Sequence, residues 1–313
     1  MECVIDVQGV SKSYKTTKKG VVIEALRDIS FKVNKGEVFG LIGPDGAGKT
    51  TLFRIIATLL LADKGEVFLN GNDVKADCRS LRATIGYMPG RFSLYTDLSV
   101  EENLHFFATL FHTSIEANYD QIKEIYTQLE PFKTRRAGAL SGGMKQKLAL
   151  CCALIHKPSI LLLDEPTTGV DPVSRKEFWD MLGRLKEQGI TIVVSTPYMD
   201  EAARCDRMAL MLNGTILNEG APEELTRAFP YPLWLLRCKD VNKTLGTVRA
   251  FEGIGNCFSF GDNLHLWFAD GVDRVDAFKS FLQSRGVEVE LLEPLSPSIE
   301  DYFILLCTQH VTR

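Results

Sequence analysis

VFGLIGPDGAGKTT, residues 38–51, decides the fold. Its first five residues, Val38 to Ile42, form an apolar run of strand length, and Thr51–Leu61 beyond it carries apolar residues at helical spacing. Between them, Gly43-Pro44-Asp45-Gly46-Ala47-Gly48-Lys49-Thr50 fits the phosphate-loop pattern GxxxxGK[ST]. The chemistry follows from the residue types. Glycines let the backbone turn tightly and aim N–H groups at phosphate, and the helix that follows presents its positive end. Lys49 would reach the β- and γ-phosphates of ATP, the Thr50 hydroxyl would ligate Mg2+, and Thr51 completes the ATP-binding stretch.

Outward from this loop the chain alternates. Strands are expected at Val4–Val7 and Ile29–Val33, and amphipathic helices at Val100–Phe111, Ile122–Leu129 and Met144–Ile155. A second apolar strand, Ile160–Leu163, runs into Asp164 and Glu165; a helix at Ser174–Lys186, stopped by Gly189, leads to the strand Thr191–Ser195. Strands alternating with helices predict an α/β fold around a mostly parallel sheet. Ligands bind at the carboxyl ends of such strands. Asp164 is therefore expected to hold Mg2+, and Glu165 to act as the catalytic base toward the attacking water.

The 313 residues suggest two domains, and 45% hydrophobic with 24% charged residues suits a globular protein with a real core. A net charge of −4 gives no basic footprint, so nucleic acid is not an expected partner. No apolar run reaches the length of a membrane span, and Glu2 and Asp6 do not fit a signal peptide. Any link to a membrane is expected to run through partners. Eight scattered cysteines without metal-ligand spacing read as reduced structural thiols. Pro230-Tyr-Pro reads as a linker and sets domains at 1–228 and 229–313. Beyond it come strand Leu233–Arg237, helix Val241–Phe251, strand Cys257–Phe260, a hairpin turn at Gly261-Asp-Asn, strand Leu264–Phe268, helix Asp273–Ser284 and strand Val287–Leu292. That βαββαβ order predicts a small ferredoxin-like α+β domain, with a closing helix at Ser298–Cys307.

Between the two nucleotide motifs lies Leu140-Ser141-Gly142-Gly143-Met144-Lys-Gln, which resembles the LSGGQ signature of ABC-type ATPases, with Met144 in place of its glutamine. The order of motifs also matches that family, over about Met1 to Phe229. The resemblance implies a P-loop ABC cassette with antiparallel β and helical subdomains. It implies that Tyr14 stacks on adenine, that Leu140–Met144 face the ATP of a partner cassette, and that Asp171, in Gly169-Val-Asp-Pro, contacts that partner. The runs TTGVDPVSRKEFW and LSGGMKQKL are similar to exporters of the ABC-2, drug-resistance type, as is Pro297-Ser-Ile-Glu-Asp-Tyr-Phe303 to their accessory domain. The implied partners are transmembrane permease subunits and a second cassette, identical or not, on the cytoplasmic face of the membrane. In that family the segment at Arg91–Leu104 docks on the permease, which makes Phe92, Leu94, Tyr95 and Leu98 candidate contacts.

Two positions depart from the family. Gly90 stands where it places a glutamine, and Ser195-Thr196-Pro197 replaces Ser-Thr-His. Asp45 stands for a common asparagine. The departures resemble the first cassette of YbhF-type tandem exporters, and the second cassette is expected on a separate chain or a second copy. A non-hydrolytic regulatory cassette, and a soluble ABC protein acting on ribosomes or DNA, remain as alternative readings.

Overall fold

The computed structural model describes residues 2–15, 22–90, 94–269 and 274–311. Two compact units part between Pro222 and Glu223, six residues before the boundary expected after residue 228; the short helix Pro222–Arg227 starts where the strand Thr215–Gly220 ends.

The first unit is built on a six-stranded sheet. Its order is Thr215–Gly220, Arg207–Leu212, Val38–Ile42, Thr191–Thr196, Ile160–Asp164, Ile85–Met88. The inner pairings are parallel and only Thr215–Gly220 runs antiparallel. All five residues of Ile160–Asp164 are buried, which is why this strand reads as a continuous apolar run rather than an alternation. Its side chains divide between two cores: Leu161 and Leu163 pack with the helical part, while Ile160 and Leu162 pack with Leu52 and Phe53 behind the phosphate loop. Each such fully buried side chain contributes about 1.5–3 kcal/mol.

An antiparallel sheet joins Val22–Asn34, Cys3–Lys15, Lys64–Leu69 and Asn72–Asp73. The helical part comprises Val100–Leu110, Tyr119–Tyr126 and Gly142–Leu154. Ser99 caps the first of these in a reciprocal box with Glu102. The helix expected at Thr51–Leu61 instead spans Lys49–Ile56. Thr58 takes φ 61°, a left-handed conformation that ends a helix, and Leu59 and Leu61 are left exposed.

In the second unit the four strands Ile254–Phe260, Asn263–Phe268, Leu233–Cys238 and Val289–Leu295 pair antiparallel in that order. With helices Val241–Arg249 and Val275–Ser284 this is the ferredoxin-like order. The helix start expected at Asp273 lies outside the described residues. Leu236, Cys257, Leu264, Leu266 and Phe268 form its core with Val248, Phe278 and Leu282. The final helix runs from Ile299 to Val311, further than expected. Ser298 and Asp301 form a box at its start: Ser298 N donates to Asp301 Oδ2 at 2.8 Å and Asp301 N donates to Ser298 Oγ at 3.2 Å. Asp301 Oδ1 lies 2.7 Å from His265 Nδ1 on the sheet. All eight cysteines are free. Among the described residues no helix is long and apolar enough to cross a membrane.

Candidate functional site

The phosphate loop leaves the middle of the parallel sheet, and backbone crowding dictates two of its glycines, Gly43 and Gly48. Gly43 N donates to the Thr196 carbonyl at 3.3 Å, and a Cβ on Gly43 would stand 2.2 Å from the Met211 carbonyl oxygen. Gly48 has φ 105°, and a Cβ there would meet the Ala25 carbonyl oxygen at 2.5 Å. Pro44, Asp45 and Gly46 form the exposed crest, while Ala47 is buried beneath it. Lys49 opens the helix yet is 3% exposed. Its ammonium donates to the carbonyls of Gly43 at 2.8 Å and Pro44 at 3.1 Å, and lies 3.2 Å from Glu165 Oε1. No acidic residue occupies the helix's first turn to oppose an anion. Tyr14, at the end of its long strand, is 37% exposed and its hydroxyl lies 3.5 Å from Thr51 Oγ1.

The neighbouring strand ends supply the acidic half. Asp164 is 1% exposed and accepts a 2.6 Å hydrogen bond from Ser195 Oγ. Glu165 N donates both to Ser195 Oγ at 2.9 Å and to the Ser195 carbonyl at 3.1 Å. This pins Glu165 at φ 50°, a conformation that costs a non-glycine residue about 1–3 kcal/mol and turns its carboxylate toward Lys49. Burial first, then the charge of Asp164, push the Tyr87 phenol up to about 12. ATP and Mg2+ fit these residues. The exposed crest Pro44–Gly46 stands before a helix start free of acidic side chains, and Thr50 with Asp164 offers the hard oxygen donors that Mg2+ takes.

The signature residues lie elsewhere in the same unit. Leu140 is buried at 5% exposure, and Ser141 caps the helix Gly142–Leu154, accepting from Met144 N at 3.4 Å. A Cβ on Gly143 would come within 2.7 Å of Ser174 Oγ, and one on Gly142 within 3.5 Å of the Gly169 carbonyl. The signature therefore packs on the loop that ends at Asp171. Asp171 caps the helix Pro172–Glu187, accepting from Val173 N at 3.1 Å and Ser174 N at 3.0 Å, and those bonds hold its carboxyl below the usual range. A cavity of about 330 Å3, lined by Gly90, Glu165, Gly142, Lys145 and Gln146 among others, separates this loop from the strand end at Met88.

Both departures have a structural setting. A Cβ on Gly90 would stand 3.0 Å from the Asp164 carbonyl oxygen. Pro197 follows the strand Thr191–Thr196 directly. Arg91 and Phe92 lie outside the described residues. Leu94 packs on the helical core, and Tyr95 is 50% exposed, edge-on to the exposed Phe106 at 4.7 Å. Asn103, fully buried, fixes that segment by accepting from Tyr95 N at 2.9 Å and donating to the carbonyls of Tyr95 and Ser99. Sequence reasoning missed the part played by Ser195. Its only signal was a small hydroxyl residue at the end of a strand beside Asp164.

Residues 26–168 match the family model described as "ABC transporter". The probable multidrug ABC transporter ATP-binding protein YbhF of Escherichia coli is 44% identical over 228 residues, covering 72% of this chain; the chain spans about two fifths (39%) of that protein's length. The doxorubicin resistance ATP-binding protein DrrA of Mycobacterium tuberculosis is 39% identical over 72% of this chain and 67% of its own. Nod factor export ATP-binding protein I of Rhizobium sp. (strain N33) is 40% identical over 71% and 72% respectively. Among solved structures, the dimeric post-hydrolysis state of the ATP-binding cassette MJ0796 bound to ADP and Pi aligns with TM-score 0.63 and 27% identity, over 69% of this chain and 98% of that one.

Proposed function

The chain belongs to the ABC transporter ATP-binding family, and we propose that it is the ATP-binding subunit of an ABC-2-type exporter that binds MgATP through Lys49, Thr50 and Asp164. The observation that carries this reading is the buried Lys49 ammonium, held at the mouth of the glycine cradle beside the Glu165 carboxylate. Two carbonyls and a carboxylate aim that charge at the place where β- and γ-phosphates would lie. Bound Mg2+ would neutralise phosphate charge, with Thr50 and Asp164 as its protein ligands. Tyr14 would stack on the base, and Glu165 would take the proton of the attacking water.

In this reading Ser141 to Met144 and Asp171 serve a second cassette, and the exposed Tyr95–Phe106 pair docks on a permease. Membrane association then runs through those partners. Gly90 has no side-chain amide to orient water and Pro197 no donor for a γ-phosphate. Each missing group of this kind costs a factor of about 10²–10³. The Lys49 site is accordingly slow, and the site to which this chain lends its signature is the faster one.

Titration calorimetry and single-turnover hydrolysis test the reading. The wild-type chain is expected to bind MgATP and turn it over slowly, and Lys49→Ala to bind at least tenfold more weakly. Equal affinity in both proteins would remove the assignment.

A further inference from the structure

Glu201 is 2% exposed, and its short helix, Met199–Ala202, gives no sequence sign of it. Three side chains converge on it. Oε1 accepts from Thr167 Oγ1 at 2.7 Å and from Arg175 Nε at 3.1 Å, and Oε2 accepts from Thr196 Oγ1 at 2.6 Å. Thr167 and Thr196 are themselves buried, at 1% and 0%. An acid this deep stays only where its oxygens are satisfied, and removing one partner leaves another exposed to the full desolvation penalty. The network is therefore stiff, and its members are not arbitrary.

Thr196 closes the strand next to the phosphate loop, and its own carbonyl accepts from Gly43 N at 3.3 Å. Thr167 lies two residues beyond Glu165. Arg175 sits in the first turn of the helix that Asp171 caps, where it also donates to Asp200 at 3.0 Å and lies 4.3 Å over the Tyr198 ring. Glu201 thus grips the loop 165–171 on both sides and fastens it to the strand that touches the first glycine of the cradle. Pro197 removes the side chain that would read the γ-phosphate directly, but leaves this backbone-to-carboxylate route in place.

We propose that Glu201 is a positioning residue which transmits nucleotide occupancy of the phosphate loop, through Thr196 and Thr167, to the Asp171 loop. This rests on the MgATP-binding reading above. Displacement of the loop at Gly43 shifts the Thr196 carbonyl, and Glu201 converts that shift into a tighter or looser hold on residues 165–171. The loop that meets a second cassette is set in this way without a histidine at position 197.

Hydrogen exchange of the full chain with and without MgATP tests it, using Thr167→Val, Thr196→Val and the hydroxyl-retaining Thr167→Ser. In the wild type MgATP is expected to protect amides of 43–51 and of 165–175 alike. Thr167→Val should bind MgATP within twofold of wild type and keep the protection of 43–51, yet lose at least tenfold of the added protection at 165–175. Thr196→Val should behave likewise, and Thr167→Ser should restore the wild-type pattern. Protection at 165–175 that survives both valine variants, or is missing in the wild type, overturns the proposal. Valine variants that lose binding and protection of 43–51 as well would show that the network only shapes the cradle, which also overturns it. A wild-type chain that does not bind MgATP fails at the earlier step and sinks the functional reading itself.

Discussion

Lys49 and Glu165 face each other at 3.2 Å across the mouth of the phosphate loop, the lysine almost wholly buried and the glutamate 23% exposed. An incoming phosphate chain must share that ammonium with a carboxylate of the same charge as itself. At an effective dielectric of about 20, a pair at this distance is worth about 5 kcal/mol before desolvation is subtracted. Replacing Glu165 by Gln removes the competitor while keeping its shape. The expected outcome is MgATP affinity about three- to thirtyfold higher than wild type, together with lower turnover at this site. Calorimetry on the two proteins side by side is the check, and a weaker-binding glutamine variant would contradict the geometry.

Restoring the family's glutamine at position 90 is not expected to restore activity by itself. The 3.0 Å approach of a Cβ to the Asp164 carbonyl requires the strand end to give way. Gly90→Ala and Gly90→Gln should each destabilise the chain by about 1–3 kcal/mol. Thermal unfolding gives the measurement. A glutamine variant with unchanged melting and raised turnover would mean that the strand end yields freely.

Ser195→Ala deletes a donor to Asp164 and an acceptor for Glu165 N in one step. Leaving the buried Asp164 short of this donor costs about 1–3 kcal/mol, while Glu165 N keeps its bond to the Ser195 carbonyl. Because Asp164 is the expected Mg2+ ligand, ATP binding measured with Mg2+ should weaken more than binding measured in chelator. Parallel losses in the two conditions would argue that Ser195 matters only for folding.

In the second unit, Asp301 is buried, which works to raise its carboxyl pKa, but hydrogen bonds from His265 and then Ser298 outweigh burial and hold it below the ordinary range. A depressed folded pKa means stability that is fully present above the unfolded value, about 3.9, and lost as pH falls through the lower folded value. Acid should therefore loosen this unit below about pH 4. Asp301→Asn should show a flatter dependence of denaturant midpoint on pH between about 3 and 5. An unchanged slope would place the acid sensitivity in another group.

Much of this was legible in the sequence, for physical reasons. Ile160–Asp164 is buried on both faces, so its strand announces itself by composition alone. The phosphate loop needs Gly43 and Gly48 for close backbone approach, and no other residue type would satisfy that need. The long antiparallel strands Cys3–Lys15 and Val22–Asn34 were read only as Val4–Val7 and Ile29–Val33. Register shifts near Val10 and Lys12 break the two-residue alternation on which such a reading depends. Glu201 was invisible for the opposite reason. In a stretch reading Met-Asp-Glu-Ala-Ala-Arg it has the composition of a solvated helix face, and only the convergence of Thr167, Arg175 and Thr196 buries it.

The crowding at Gly43 bears on how the loop can be studied and on how it can drift. A side chain there collides with the Met211 backbone whether or not nucleotide is ever met, so a damaged Gly43 variant reports on folding and says nothing of ligand. Gly46 is different: at φ 80° a Cβ would touch nothing within 4 Å, leaving only a backbone strain of about 1–2 kcal/mol. Two glycines three positions apart in one motif thus answer to separate demands, close backbone packing at the first and a left-handed conformation at the second. A chain of this lineage could therefore replace Gly43 only by moving the Met211 backbone, whereas replacing Gly46 asks only that one residue hold an unfavoured backbone angle.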